Sequence, residues 1–88
     1  MQTECIPGNI YIHYRNQKKY IVTHICKHGS FDSNLPHIAI YHQLDEEGRV
    51  YYRDIANFNE VVTWNQDGNV WRYKYLSNLN DLNSSSVN

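Results

Sequence analysis

The sequence predicts an all-β fold: a small antiparallel barrel or rolled sheet of five to six strands, with one short helical turn and no long helix. Three observations lead there. Apolar and β-branched residues recur at a spacing of two through NIYIHY, KYIVTHICK, HIAIYHQL and VYYRD, which is the period of a strand buried on one face. Short segments rich in Gly, Pro, Asn and Asp separate these runs, and such residues favour turns. In a chain of 88 residues, closing the sheet removes edges that would otherwise invite pairing with other chains.

Pro7 and Gly8 precede the first strand, in which Ile10, Ile12 and Tyr14 share one face and Tyr11 and His13 the other. After the polar connection RNQKK, the second strand places Ile21, Thr23 and Ile25 on one side and Tyr20, Val22, His24, Cys26 and His28 on the opposite side. HGSFDSNLP, residues 28 to 36, has no sustained period and reads as a surface loop, the kind of segment that carries binding groups. The third strand divides into Ile38, Ile40, His42 and Leu44 against Ala39, Tyr41 and Gln43. DEEGR turns the chain into VYYRD, and Asp54 is placed to cap a helical turn over IANF. The stretch EVVTWNQDGNVWRYKYL reads as a hairpin about Asp67-Gly68. With that turn central, Trp64 faces Trp71 as a structural clamp and Val62 faces Tyr73. Residues 1–6 form a lead, 7–76 the domain, and the Asn/Ser-rich 77–88 a disordered polar tail.

Size and charge narrow the classes of function. A core of this size supplies only about 3–5 kcal/mol without staples, which suits a partner or a homo-oligomer. The net charge is −1 and the pI near 6.5, so the electrostatic drive used by phosphate-binding domains is missing and nucleic acid is a disfavoured partner. Charge is uneven: residues 1–31 carry +3 and residues 32–60 carry −4. No apolar run reaches membrane-spanning length, and no export signal is recognisable. The expectation is a cytoplasmic protein with Cys5 and Cys26 reduced.

HICKHG places His24, Cys26 and His28 at a spacing of two, with ligand chemistry that zinc accepts. Alternate residues on a strand lie about 6.5–7 Å apart, so three in a row converge poorly on one ion. There is also no paired Cys-x-x-Cys knuckle. The reading is therefore no metal, no cofactor and no catalytic residue, with Cys26 a small packed hydrophobe between partly exposed histidines. The stronger candidate is a polar and aromatic surface formed by His28, Tyr41, Tyr51 and Arg53 beside the 29–36 loop. Planar rings and one permanent cation suit recognition of a peptide, an anion or a base-like ring.

In order, IYIHY, KKYIVTHICKH, AIYHQL, VYYRDIANFNEVV and WRYKYL resemble the DUF1653 family over residues 7 to 76. The matching positions are His13, Tyr14, Tyr20, Val22, His28, Tyr41, Leu44, Arg53, Phe58 and Glu60. His24 and Cys26 stand where the family has small residues, and Tyr51-Tyr52-Arg53-Asp54 stands where it has Trp-Val-Arg-Pro. The resemblance implies an SH3-like β-barrel and no particular activity. The leading expectation is a non-enzymatic module that binds a protein or small ligand through its aromatic face and the 29–36 loop. The alternatives are a small-ligand or nucleotide-related enzyme centred on His28 and Arg53, and a single-stranded nucleic-acid binder that stacks bases on tyrosines.

Overall fold

The strand periods read from the sequence appear in a computed structural model that describes residues 2–29 and 35–80. The strands are β1 (Asn9–His13), β2 (Lys19–Cys26), β3 (Ile38–Gln43), β4 (Val50–Asp54), β5 (Val61–Thr63), β6 (Asn69–Trp71) and β7 (Tyr73–Asn78). Helical turn α1 (Ile55–Phe58) follows β4, and a single 3-10 turn spans Asn65–Asp67. The larger sheet runs β4-β3-β2-β1-β7 and the smaller one β5-β6, with every pair antiparallel. The protein is thus an all-β small domain. Among the described residues seven strands form where five to six were expected, because the last arm breaks at Arg72 into β6 and β7.

The expected barrel does not close: β4 and β7 are the two ends of the five-stranded sheet and do not pair. Side chains bridge the gap instead. Phe58, at the end of α1, is fully buried and stacks flat on Tyr73 of β7, with centroids 4.2 Å apart and ring planes 2° apart. Its edge contacts reach Tyr11 of β1 at 4.7 Å and Tyr41 of β3 at 5.2 Å. The core around it comprises Cys5, Tyr11, Tyr20, Val22, Ala39, Tyr41 and Tyr73.

Strand 2 departs from simple alternation. Val22 pairs with Tyr41 but His24 pairs with Ile40, so one extra residue bulges from β2. A one-residue slip exchanges the faces. Tyr20 and Val22 point into the core before the bulge, whereas after it Ile25 packs against the core and His24 is exposed. The predicted common face of Tyr20, Val22, His24, Cys26 and His28 is therefore split, because the core takes the larger apolar Ile25 in place of an imidazole. Thr23 donates its hydroxyl to the Ile40 carbonyl at 3.3 Å across the bulge.

Two local expectations are corrected. The last hairpin is in a different register: Val61 pairs with Trp71, Val62 with Val70 and Thr63 with Asn69. Asn65 and Gly68 both take positive φ, 50° and 74°, so the loop is a 3-10 turn over Asn65–Asp67 and not a two-residue turn at Asp67-Gly68. Trp64 consequently meets Tyr14 edge-on at 5.2 Å, with Arg15 over its ring at 5.7 Å, and does not face Trp71. Asp54 stands at the N-cap of α1, but its side chain makes no capping bond. The turn is held through its backbone, where the Ile55 amide donates to the His37 carbonyl at 3.0 Å.

The chain ends of the domain are sewn together by a buried amide pair. Asn78 donates its amide to Asn9 Oδ1 at 2.7 Å and to the Pro7 carbonyl at 3.3 Å, and its Oδ1 accepts the Asn80 amide at 2.8 Å. Asn9 in turn donates to the Glu4 carbonyl at 2.8 Å and to the Tyr11 hydroxyl at 3.0 Å. Both amides have their donors and acceptor engaged, the condition under which a buried polar network stabilises. Gly8 makes the approach possible: its φ is 93°, and a Cβ there would lie 3.2 Å from the Asn78 amide. β7 accordingly runs two residues past the boundary expected at 76, and residues 81–88 of the expected tail lie outside the described residues. Ahead of β1, Gln2 binds the edge of β7, donating to the Tyr73 carbonyl at 2.8 Å and accepting the Tyr75 amide at 2.9 Å.

Replacing Asn78 by Ala strands the acceptors Asn9 Oδ1 and the Pro7 carbonyl and the Asn80 amide donor, so Asn78→Ala is expected to lower unfolding free energy by about 1–3 kcal/mol. Gly8→Ala is expected to cost at least about 1 kcal/mol through its positive φ and crowded Cβ. Chemical denaturation followed by far-UV circular dichroism measures both, and unchanged midpoints would contradict the clasp.

Candidate functional site

Register brings three of the four predicted site residues together. Tyr41 on β3 lies directly opposite Tyr51 on β4, and Arg53 lies opposite Ala39. The side chains of Tyr51 and Arg53, two apart on one strand, share the face of Tyr41. Ala39 is small and fully buried, which leaves room above it for the Arg53 stem. The guanidinium donates through Nε to the Tyr41 hydroxyl at 3.3 Å and through Nη1 to Asn57 Oδ1 on α1. It also lies over the Tyr73 ring at 5.8 Å. Tyr41 and Tyr51 have centroids 5.7 Å apart.

His28 stands apart from this group. It is exposed, two residues beyond the end of β2, where Cys26 pairs with Ile38. Tyr41 pairs with Val22, farther back along the same strand, and at about 3.3 Å per residue the separation is on the order of 15 Å. Because β2 and β3 run antiparallel, the loop end of β2 meets the beginning of β3 and not the half that carries Tyr41. Residues 30–34 of the loop assigned to the site lie outside the described residues. His24 is exposed beside Thr23, with Nδ1 3.1 Å from Oγ1, and Cys26 is half-buried. Among the described residues, no three His, Cys, Asp or Glu side chains are grouped to hold a metal.

Sequence spacing did not reveal the partners that complete the cluster. Tyr73 joins from β7, its hydroxyl 3.0 Å from that of Tyr41 across a sequence separation of 32 residues. Tyr20 meets Tyr41, Tyr51 and Tyr73 edge-on at 5.8, 6.5 and 5.7 Å. His13 packs edge-on against Tyr73 at 4.9 Å. The available signal was the excess of tyrosines on alternating strands; which of them meet depends on sheet order.

Electrostatics leave one permanent charge in the cluster. Burial first, and then the positive charges of Arg53, Arg72 and Arg15, hold His13 below the usual histidine range. Its Nδ1 accepts the Arg15 amide at 3.2 Å, which suits a neutral ring. Burial and the bond to Tyr41 keep the Tyr73 hydroxyl protonated well above the usual phenol range. Arg72 is paired with Glu60 at 3.1 Å, whereas Arg53 meets no carboxylate among the described residues. The arrangement is a guanidinium held by neutral groups, with N–H donors left over, between aromatic rings at an open seam of the sheet.

Comparison with protein-family models, with curated proteins and with solved structures finds no match for this chain.

Since the His13 pKa is lower in the folded protein than in the unfolded chain, the unfolded chain gains its proton first as pH falls. The corresponding stability is full above about pH 6.5 and declines as pH drops toward the native value. An NMR titration of the His13 ring is expected to give a midpoint below that of a free histidine. His13→Phe is expected to flatten part of the loss in denaturation midpoint between neutral pH and pH 5; a midpoint at or above the free value would contradict this account.

Proposed function

We propose that this domain is a non-enzymatic interaction module that receives an extended, carboxylate-bearing peptide segment along β4. The single observation carrying the proposal is the open seam between β4 and β7, with Arg53 and Tyr51 beside it. Among the described residues no strand pairs with the outer edge of β4, so its backbone groups are available for strand addition. Val50, Tyr51 and Tyr52 on that strand are 59%, 38% and 76% exposed. Rigid aromatic surface next to an unpaired edge favours peptide contact. Arg53 supplies the charge-assisted bonds that select a carboxylate.

This narrows the expectation from composition, in which the ligand was a protein or a small molecule. The DUF1653 likeness fits a binding role but is part of the proposal. So is a cytoplasmic setting: both cysteines are free thiols, and among the described residues no helix is long and apolar enough to cross a membrane. His28 and the 29–36 loop do not enter the proposed contact.

An array of immobilised extended octapeptides, varied in Asp, Glu and aromatic content, tests the reading. Purified domain is expected to be retained by acidic members at moderate salt, and Arg53→Gln is expected to weaken retention roughly tenfold with its circular dichroism unchanged. Tyr51→Ala should weaken it as well. No retention by acidic peptides, equal retention of Arg53→Gln, or preferential capture of an oligo-dT strand with steep salt dependence would each overturn it.

A further inference from the structure

A second concavity lies between the N-terminal segment, α1 and the β5–β6 hairpin, and its lining includes neither Arg53 nor Tyr51. The register of the hairpin sets Val61 directly opposite Trp71, so both side chains emerge on one face. Across from them stand Ile25, turned inward by the β2 bulge, and Ile55 at the start of α1. The N-terminal segment completes the wall with the buried Cys5, held in place by the two bonds of Gln2 to β7. The concavity is open to solvent and has a volume of about 670 Å³, within the range of small-molecule sites.

We propose that this cleft binds an uncharged aromatic molecule carrying an amide or hydroxyl donor. The indole of Trp71 with three aliphatic side chains makes a flat apolar slot suited to a ring system. Among the described residues that line the cleft, Glu4, which is solvent-exposed, is the one carboxylate, His37 is the one imidazole, and there is no Lys or Arg, so no permanent positive charge is there to hold an anion. The donor requirement comes from Asn59, a cleft residue whose Oδ1 is buried and has no hydrogen-bond partner. An unmet buried acceptor is costly. The terminal amide torsion of Asn is soft, so Oδ1 can turn to accept from a donor on a ligand in the cleft. Burial also raises the pKa of the Cys5 thiol, which leaves it a neutral, unreactive part of the wall.

NMR titration of the isotope-labelled full chain with 2-naphthamide and with methyl 2-naphthoate tests this. The two probes share the ring and carbonyl, and only the amide has a donor. Saturable shifts are expected at Cys5, Ile25, Ile55, Asn59 and the Trp71 indole, with the amide bound about fivefold to tenfold more tightly than the ester. Val61→Trp, which fills the slot from a partly exposed position, is expected to weaken naphthamide binding at least about tenfold. Absence of saturable shifts, equal affinity for the ester, or undiminished binding by a folded Val61→Trp overturns the proposal; should that variant not fold, the probe pair decides alone. Failure here leaves the β4 reading untouched, since the two sites share no residue.

Discussion

Four of the eight buried core side chains are tyrosines, and each brings a hydroxyl that must find a partner inside the protein. This requirement organises the fold. Tyr11 is met by Asn9, Tyr20 by Asn16, and Tyr41 by Tyr73 together with Arg53. Each partner comes from a different place: the residue before Tyr11 on its own face of β1, the turn into β2, the far edge of the sheet, and β4. The Tyr41–Tyr73 bond therefore ties β3 to β7, two strands that the backbone does not pair.

The barrel stays open between β4 and β7, and side chains span the gap. Full closure would need a backbone ladder between β4 and β7, but α1 and the β5–β6 hairpin are inserted between them in the chain. Phe58 occupies the seam and stacks on Tyr73, while Arg53 spans from β4 to the Tyr73 ring. Aromatic area supplies the cohesion that hydrogen bonds would supply in a closed barrel. What remains is an edge with its backbone groups and several apolar side chains facing outward. A small domain normally protects such an edge, and this is the physical reason for assigning it a partner.

Two concavities follow from where irregularities fall. The bulge in β2 turns Ile25 inward, and the hairpin register turns Val61 and Trp71 toward it, which creates an apolar slot near the N-terminus. The cationic, hydroxyl-rich cluster sits at the β4–β7 seam. The contrast between them is chemical: one presents a guanidinium without a carboxylate partner among the described residues, the other a mainly apolar wall without Lys or Arg among the described residues and with an unmet acceptor.

Alternation alone determined the all-β class, the first four strands and the division of β3 into two faces; that Tyr41, expected on a binding surface, is buried with Ala39 was decided by the packing of the core. Alternation also brought Tyr41, Tyr51 and Arg53 together, since adjacent strands joined by a short turn pair in a register that residue spacing constrains. The bulge was not legible, because a period of two is unbroken through KYIVTHICK and only the demand of the core for Ile25 shifts it. Neither was the hairpin register: Asp67-Gly68 is a strong local signal, but positive φ at Asn65 and Gly68 gave a longer turn. His28 was joined to the site on the sequence alone and separated from it by the antiparallel direction of β2 and β3. Tyr73, His13 and the Asn9–Asn78 clasp were decided by the tertiary structure, because contacts between residues far apart in the chain depend on strand order, which local periodicity does not encode.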